Sequence, residues 1–401
     1  MAKDIVVCCD GTGNEINTAL SNVLKLYRVL EKDDGQRVYY HPGIGTIGLQ
    51  STWGRLKQEA YAVRGLATGA GLDEDTLAAY RFLCRTYQKD DRVWLFGFSR
   101  GAYTVRVLAA LIQVIGLMPP DQIDLSGYAF TAYKNASSSS HNAGENFLDE
   151  AWHFSQVAGG YHVPIEFLGV WDTVASVIVP RHDKFWFDLQ TLVYTRTNPS
   201  VRKFRQAMAI DERRRMFRLN HWTEPQKYRP NIFDPSSAIA QDIRQVWFAG
   251  VHCDVGGGYL ETESGPSKYP LLWMIAQAVA AGLRVDPSMV DHLCWGTPRR
   301  GSSHVYLPPS STAPLHDSMN AAWEILEWLP KNEKYREWPE RKGFLGYYLP
   351  RSEPRLIAEG AIIHQSVIDR KANTAYQPIN LPKTFTVEPD PAPPPSPPPS
   401  S

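Results

Sequence analysis

The chain has 401 residues, of which 43% are hydrophobic and 21% are charged, a composition typical of globular domains. The 42 basic residues balance the 42 acidic ones, so the chain has no basic excess and we expect no nucleic-acid partner. Five scattered cysteines, an odd number, indicate reduced thiols and a cytoplasmic protein. Because no secretory signal precedes the first apolar run, any export is expected to follow a non-Sec route.

Short apolar runs that end in turn residues alternate with amphipathic helical patterns along the chain. The predicted strands are 5–9, 37–40, 92–97, 165–171 and 245–251, and the predicted helices are 21–32, 72–88, 99–114 and 269–283. This alternation predicts an α/β fold with a doubly wound, mostly parallel sheet of the α/β-hydrolase type. In such a sheet, ligands bind beyond the carboxyl ends of the strands.

Composition also predicts how the chain is organised. Residues 1–385 are expected to form one α/β-hydrolase-like catalytic domain, with 260–385 as a C-terminal helical and irregular cap because its apolar runs are short and interrupted by proline. Residues 386–401 are mostly proline and serine, which predicts a disordered tail. The serine-rich stretch 134–146 predicts a mobile loop.

A serine stands between the third predicted strand and the following helix, in the sequence Gly97-Phe98-Ser99-Arg100-Gly101. In a Gly-x-Ser-x-Gly turn of this kind, a strained backbone exposes the serine hydroxyl and the glycines let neighbouring backbone approach. The helix N-terminus favours developing negative charge, and the backbone N–H of Arg100 would be one oxyanion donor. The motif therefore predicts Ser99 as a nucleophile.

Candidates for the acid and the base follow later strands. Asp172 comes directly after strand 165–171 and His252 after strand 245–251, in the order Ser, Asp, His found in α/β hydrolases. His252 would take the proton of Ser99, and Asp172 would orient the imidazole. Asp254 is the rival acid and His364 the rival base. The structural alternatives are a strand-end aspartate that caps its own turn and a histidine satisfied beside the glycine run.

The first predicted strand ends in Asp10-Gly11-Thr12-Gly13-Asn14. Phosphatases of the haloacid dehalogenase type also begin with an apolar strand and Asp-Gly-Thr, but the position of their aspartate nucleophile is Cys8 here. The amides of Gly11 or Thr12 are candidates for a second oxyanion donor, and a plain turn capped by Asp10 is the equal alternative. Without HExxH, paired CxxC or GxGxxG, no metal or organic cofactor is expected.

Longer stretches resemble a known family. They are CDGTGN at 9–14, SNVLKLYRVL at 21–30, GLDEDTLAAYRFL at 71–83, GFSRGAYTVR at 97–106, GVWDTVAS at 169–176, AMAIDERRRMF at 207–217, VWFAGVHCDVGGGY at 246–259, and IHQSV with YQPINLP between 363 and 382. The chain resembles the DUF2235 family of α/β hydrolases, which includes the Tle1-like phospholipase catalytic domains of type VI secretion. The resemblance implies a Ser99–Asp172–His252 triad and an ester substrate, with a glycerophospholipid as one candidate.

Two functions are therefore weighed. The first is a serine hydrolase that cleaves a carboxylic ester, from a lipid or a small molecule, through an acyl-serine intermediate. The alternative is a non-catalytic binding or scaffold protein on a hydrolase fold. The family resemblance adds a secretion-system or immunity partner and transient contact with a membrane surface. The aromatic run 184–187 is interpreted as either a lipid-facing lid or part of the core.

Overall fold

The computed structural model describes residues 2–11, 19–43, 71–139, 148–174, 178–180, 187–189, 192–231, 234–333, 336–338, 340–341 and 343–391. Its central feature is an eight-stranded parallel sheet. The strands in chain order are β1 (Asp4–Cys9), β2 (Gln36–His41), β3 (Arg92–Phe98), β4 (Ile165–Trp171), β5 (Val201–Ala209), β6 (Asp242–Phe248), β7 (Ala361–His364) and β8 (Phe385–Glu388).

The spatial order of the strands determines where a site can form. The order is β2-β1-β3-β4-β5-β6-β7-β8. Strand β2 therefore lies on one side of β1, and β3 and all later strands follow on the other side. The connections that leave β1 and β3 therefore diverge, and a crevice opens beyond their carboxyl ends. The predicted Asp10 turn and the predicted Ser99 turn both lie at this switch point.

Helices cover both faces of the sheet. They are α1 (Asn22–Val29), α2 (Leu72–Thr86), α3 (Ser99–Ile115), α4 (Ser126–Ser139), α5 (Asp149–Val157), α6 (His252–Gly256), α7 (Lys268–Ala280), α8 (Pro287–Trp295), α9 (Ala321–Glu327) and α10 (Gln365–Asn373). Helices α2 to α5 pack on one face, and α1, α7 and α8 pack on the other. Alternate residues of β1 enter the two cores, Cys9 on one side and Cys8 on the other. The predicted α/β class and parallel sheet are confirmed, and all five cysteines are free thiols.

Three of the eight strands of the main sheet were not predicted, and the physical reason differs between them. Strand β5 contains Arg205 and Gln206, which break the apolar pattern, yet both side chains are buried and hydrogen-bonded. Strands β7 and β8 have only four residues each. They belong to the region expected to be a cap, but they extend the main sheet. Strand β8 also includes the first residues of the predicted tail, which are ordered by pairing with β7. Residues 392–401 lie outside the described part of the chain.

The serine-rich stretch also differs from the expectation. Helix α4 continues to Ser139, so residues 134–139 are helical, whereas 140–147 lie outside the described residues. Short two-stranded pieces join 178–180 to 187–189, 227–228 to 239–240, and 331–332 to 347–348. Within the described ranges, no helix combines the length and the apolarity needed to cross a bilayer.

Candidate active site

Ser99 lies on a strained turn between β3 and α3. Its φ is 56°, a left-handed conformation that residues with a Cβ seldom adopt. A Cβ on Gly97 would overlap the carbonyl of Gly101, and a Cβ on Gly101 would overlap the carbonyl of Cys9. The glycines thus allow the first turn of α3 to rest on the end of β1, which places Ser99 at the switch point. The turn therefore has the backbone geometry of a nucleophile elbow.

Asp172 and His252, predicted as acid and base, meet in the structure. Asp172 follows β4 with a φ of 36°, and His252 is the first residue of α6. The Nδ1 atom of His252 lies 2.5 Å from Oδ2 of Asp172, and both side chains are buried. Since an ionised carboxylate only accepts, Nδ1–H donates and Nε2 is left free to accept a proton.

The Asp172 carboxylate is held from several sides. Its Oδ1 accepts from the backbone N–H of Ala209 at 2.9 Å and from Nη1 of Arg355 at 2.6 Å, while Nη2 of Arg355 donates to Oδ2 at 3.0 Å. Burial alone raises the pKa of Asp172, but the Arg355 charge and the contact with His252 hold that pKa well below its usual range. The carboxylate is therefore ionised at neutral pH.

Two aromatic rings fix the imidazole of His252. The Phe98 ring lies 4.6 Å from it, centre to centre, and the Phe217 ring meets it edge-on at 4.9 Å. Because Phe98 directly precedes Ser99, the first contact places the imidazole beside the serine turn. Trp323 of α9 packs edge-on against Phe217 at 5.5 Å and closes the same side.

A second ion pair, between Glu212 and Arg214, holds the first residue of α6. Glu212 accepts from the backbone N–H of His252 at 3.2 Å and pairs with Arg214 at 2.8 Å. Burial opposes ionisation of Glu212, but Arg214 outweighs it and lowers the pKa of Glu212 to about 2. The Arg214 guanidinium in turn lies 3.7 Å from the centre of the Phe217 ring. Sequence reasoning missed these residues, although the charged run 211–215, which directly follows the apolar residues 207–210, was a usable signal.

The rival acid and base are engaged elsewhere. Asp254 accepts from the Val251 backbone N–H at 3.1 Å and lies 2.7 Å from Nδ1 of His316. His364, the rival base, is the last residue of β7. It is stacked on Phe248 at 4.4 Å, and burial lowers its pKa to about 3, so it is a neutral core histidine.

The turn after β1 is built around the buried Asp10 carboxylate. It accepts from the Gly11 backbone N–H at 2.7 Å, from the Tyr40 hydroxyl at 2.9 Å and from the Ser21 hydroxyl. The Gly11 amide is thus already hydrogen-bonded, the geometry of a turn capped by Asp10. Thr12 lies outside the described residues.

Arg100 lies in the first turn of α3. Its backbone N–H is among those that no carbonyl of the same helix can satisfy. Burial lowers the pKa of its side chain to about 10. Of the run 184–187, only Phe187 falls within a described strand.

A described cavity lies well away from the candidate active site. A cavity of about 170 Å³, lined by Ile112, Trp152 and His162 among others, lies near the end of α3 remote from Ser99. At a rise of about 1.5 Å per residue, the cavity is roughly 20 Å from the serine. Among the residues described, no group of three or more His, Cys, Asp or Glu side chains is placed to hold a metal ion.

The parallel sheet, the strained serine at its switch point and the buried Asp–His pair together define a protein of the α/β-hydrolase class. Residues 3–277 match the family model described as T6SS, phospholipase effector Tle1-like, catalytic domain. The chain belongs to this family, which confirms the resemblance found in the sequence and supports a lipase or phospholipase role.

Individual relatives match over part of their length. The uncharacterized protein YEL023C of Saccharomyces cerevisiae is 32% identical over 240 residues, which are 58% of this chain and 34% of the yeast protein. An uncharacterized protein from Pseudomonas aeruginosa has a TM-score of 0.36 and 19% identity, over 71% of this chain and 47% of that one. The Tle1 effector bound to the VgrG spike of the type 6 secretion system has a TM-score of 0.34 and 17% identity, over 66% and 52%. The chain spans about a third of the yeast relative and about half of each solved chain.

Proposed function

We propose that the protein is a serine hydrolase that cleaves a carboxylic ester of a glycerophospholipid. Ser99 is the nucleophile, His252 the general base and Asp172 the residue that orients the imidazole. The observation that carries the proposal is the 2.5 Å contact between His252 and Asp172, next to a serine whose φ is 56°.

The chemistry follows from the atoms in place. With Nδ1–H held by Asp172, Nε2 of His252 takes the Ser99 proton as the hydroxyl oxygen attacks the ester carbonyl. The first-turn amides of α3, the Arg100 N–H among them, stabilise the oxyanion. His252 then protonates the departing alcohol, and water releases the acid from the acyl-serine. Gly11 and Thr12 are the candidates for a second donor, and Gly11 would first have to release Asp10.

A lipid substrate is supported by the surface near the site as well as by the family. The helix that places Trp323 against Phe217 exposes Ile325 at 67%, and Trp328, just beyond its end, is 59% exposed. Phe344 and Leu345, in the turn between strands 331–332 and 347–348, are 80% and 82% exposed. Large apolar side chains exposed to this degree are typical of interaction surfaces, and we propose that they make transient contact with a membrane surface.

Delivery and partners are proposed from the family alone. The family model is that of type VI secretion effectors, so we propose synthesis in the cytoplasm, export by a non-Sec route, and a secretion-system or immunity protein as partner. Co-purification of the protein with the spike protein of a type VI secretion system is the direct measurement, and its absence under secreting conditions would contradict this part.

The activity is tested by labelling with a fluorophosphonate probe, followed by fatty-acid release from phosphatidylcholine vesicles and from a short-chain ester. We expect wild type to be labelled and Ser99→Ala not to be labelled, while Ser236→Ala, at an exposed serine, labels like wild type. Fatty-acid release should follow the labelling. If a wild-type protein that unfolds cooperatively is not labelled and releases no fatty acid, the hydrolase proposal fails and the scaffold alternative replaces it.

A further inference from the structure

A buried arginine from the C-terminal part of the chain holds the proposed acid. Arg355 lies between strand 347–348 and β7, beyond residue 277 where the family match ends. Its guanidinium donates one N–H to each oxygen of Asp172, at 2.6 and 3.0 Å. Such a bidentate fork fixes the plane of a carboxylate as well as its charge.

Arg355 is itself held by hydrogen bonds to the end of β5 and to the segment that follows it. Nη1 also donates to the carbonyl of Ala209 at 3.0 Å, and Nη2 to the carbonyl of Phe217 at 2.7 Å. The Asn380 amide donates to the carbonyls of Ile210 and Arg355, both at 3.0 Å, and so ties the backbone of Arg355 to the end of β5. Every described hydrogen bond of this side chain therefore leads to Asp172, to the last residue of β5 or to the segment that follows β5.

Arg355 compensates one of the two carboxylate charges that lie beside the imidazole. Asp172 and Glu212 contribute two negative charges, and Arg355 and Arg214 contribute two positive ones. Of the other ionisable groups nearby, Asp254 is paired with His316 and Glu337 with Arg215, the buried Cys253 thiol is neutral, and Asp211 accepts a hydrogen bond from the Tyr376 hydroxyl. Loss of the Arg355 charge leaves one uncompensated negative charge beside His252, which favours the imidazolium.

We propose that Arg355 is a positioning residue that orients Asp172 and compensates its charge, so that the imidazole of His252 acts as a base. The inference rests on the proposed function. Acting through Asp172, Arg355 limits how strongly the carboxylate attracts a proton onto the imidazole. An uncharged residue in its place should therefore confine activity to more alkaline pH.

The test measures kcat/KM for a soluble ester between about pH 5 and 9, where histidine titrates. In Arg355→Gln we expect the acid limb of the profile to move to higher pH by about one unit. Arg355→Lys keeps the charge but cannot span both oxygens, so its acid limb should stay near that of wild type while kcat falls. Arg205→Gln is the matched control, because Arg205 is also buried but pairs with Asp242, and its profile should not move.

The outcomes separate the two proposals. If wild type is not labelled by the fluorophosphonate, the proposed function fails. If wild type is labelled but the acid limb of Arg355→Gln coincides with that of wild type, the role of Arg355 is refuted. Should Arg355→Gln not unfold cooperatively, Asp172→Asn is compared with Asp172→Asn/Arg355→Gln, which removes both buried charges together. If Arg355 acts through Asp172, adding Arg355→Gln to Asp172→Asn should lower the labelling rate by less than about twofold. A larger additional loss refutes the proposal.

Discussion

Lys25 and Lys268 place two buried ammonium groups on one carboxylate. Both lysine side chains are inaccessible to solvent, and they lie 3.4 and 2.8 Å from the two oxygens of Glu261. Lys268 also donates to the carbonyl of Leu293 at 2.6 Å, whereas the Lys25 ammonium has only the longer contact. Burial, followed by repulsion from Lys268, lowers the pKa of Lys25 from 10.5 to about 8. Charged Lys25 is thus a destabilising element of the fold.

The magnitude follows from linkage. A lysine whose pKa is depressed in the folded state contributes full stability above its unfolded pKa, and that stability is lost as the pH falls through the folded value. A drop from 10.5 to about 8 corresponds to roughly 3 kcal/mol at neutral pH. Lys25→Met keeps the length of the side chain and removes the charge. After allowance for the lost ion pair, we expect it to raise the free energy of unfolding by about 2 kcal/mol at pH 7.

The free energies of unfolding of wild type and Lys25→Met are measured by urea unfolding, with tryptophan fluorescence as the signal. Between about pH 7 and pH 9.5, the free energy of unfolding of wild type should rise by about 2 kcal/mol relative to that of Lys25→Met. The difference in stability between the two proteins should therefore close. Lys89→Met, at an exposed lysine, is the control and should show the pH dependence of wild type. A stability difference between Lys25→Met and wild type that stays constant over this range would refute the buried-charge reasoning.

Two further predictions concern the acid and the serine turn. Asp172→Asn should lower kcat for a soluble ester by about 10⁴-fold, whereas Asp254→Asn should lower it by less than about 10-fold, since Asp254 acts outside the triad. If Asp254→Asn is the more damaging change, the acid has been assigned wrongly. Gly101→Ala should lower the free energy of unfolding in urea by about 3 kcal/mol, because its Cβ would overlap backbone. Gly127→Ala, where a Cβ meets nothing within 4 Å, should be neutral or stabilising, and equal losses in both variants would contradict this account.

Much of the fold could be predicted from local pattern. Strands β1 to β4 and helices α1 to α3 have continuous apolar runs or clear 3.6-residue stripes, and their predicted bounds differ from the observed ones by a few residues at most. The contact between Asp172 and His252 could be predicted because parallel strands bring their carboxyl ends to one edge, so residues that directly follow strands converge. Strand β5 was missed because Arg205 is satisfied by Asp242 and Gln277, partners that local pattern does not identify.

Arg355 could not have been found in the same way. It stands 183 residues after Asp172, in a segment without helix or strand, and nothing in its neighbourhood marks it as buried. Its place is fixed only by tertiary contacts, those of Asn380 with Ile210 and of the guanidinium with Ala209 and Phe217. A buried charge is predictable from sequence only when its partner is close in the chain, as Glu212 and Arg214 are.

The C-terminal part of the chain is therefore integral to the site rather than an addition to it. Strands β7 and β8 pair in parallel beyond β6, so that the strand leading to His252 is an interior strand of the sheet. Trp323 closes the ring contacts on the side of Phe217, and Arg355 compensates the Asp172 charge. Without Arg355, Asp172 would be a buried carboxylate held only by His252 and the Ala209 backbone N–H, which would favour the protonated form of the imidazole. The contacts that hold the Asp172–His252 pair thus include a segment beyond the region that the family match covers.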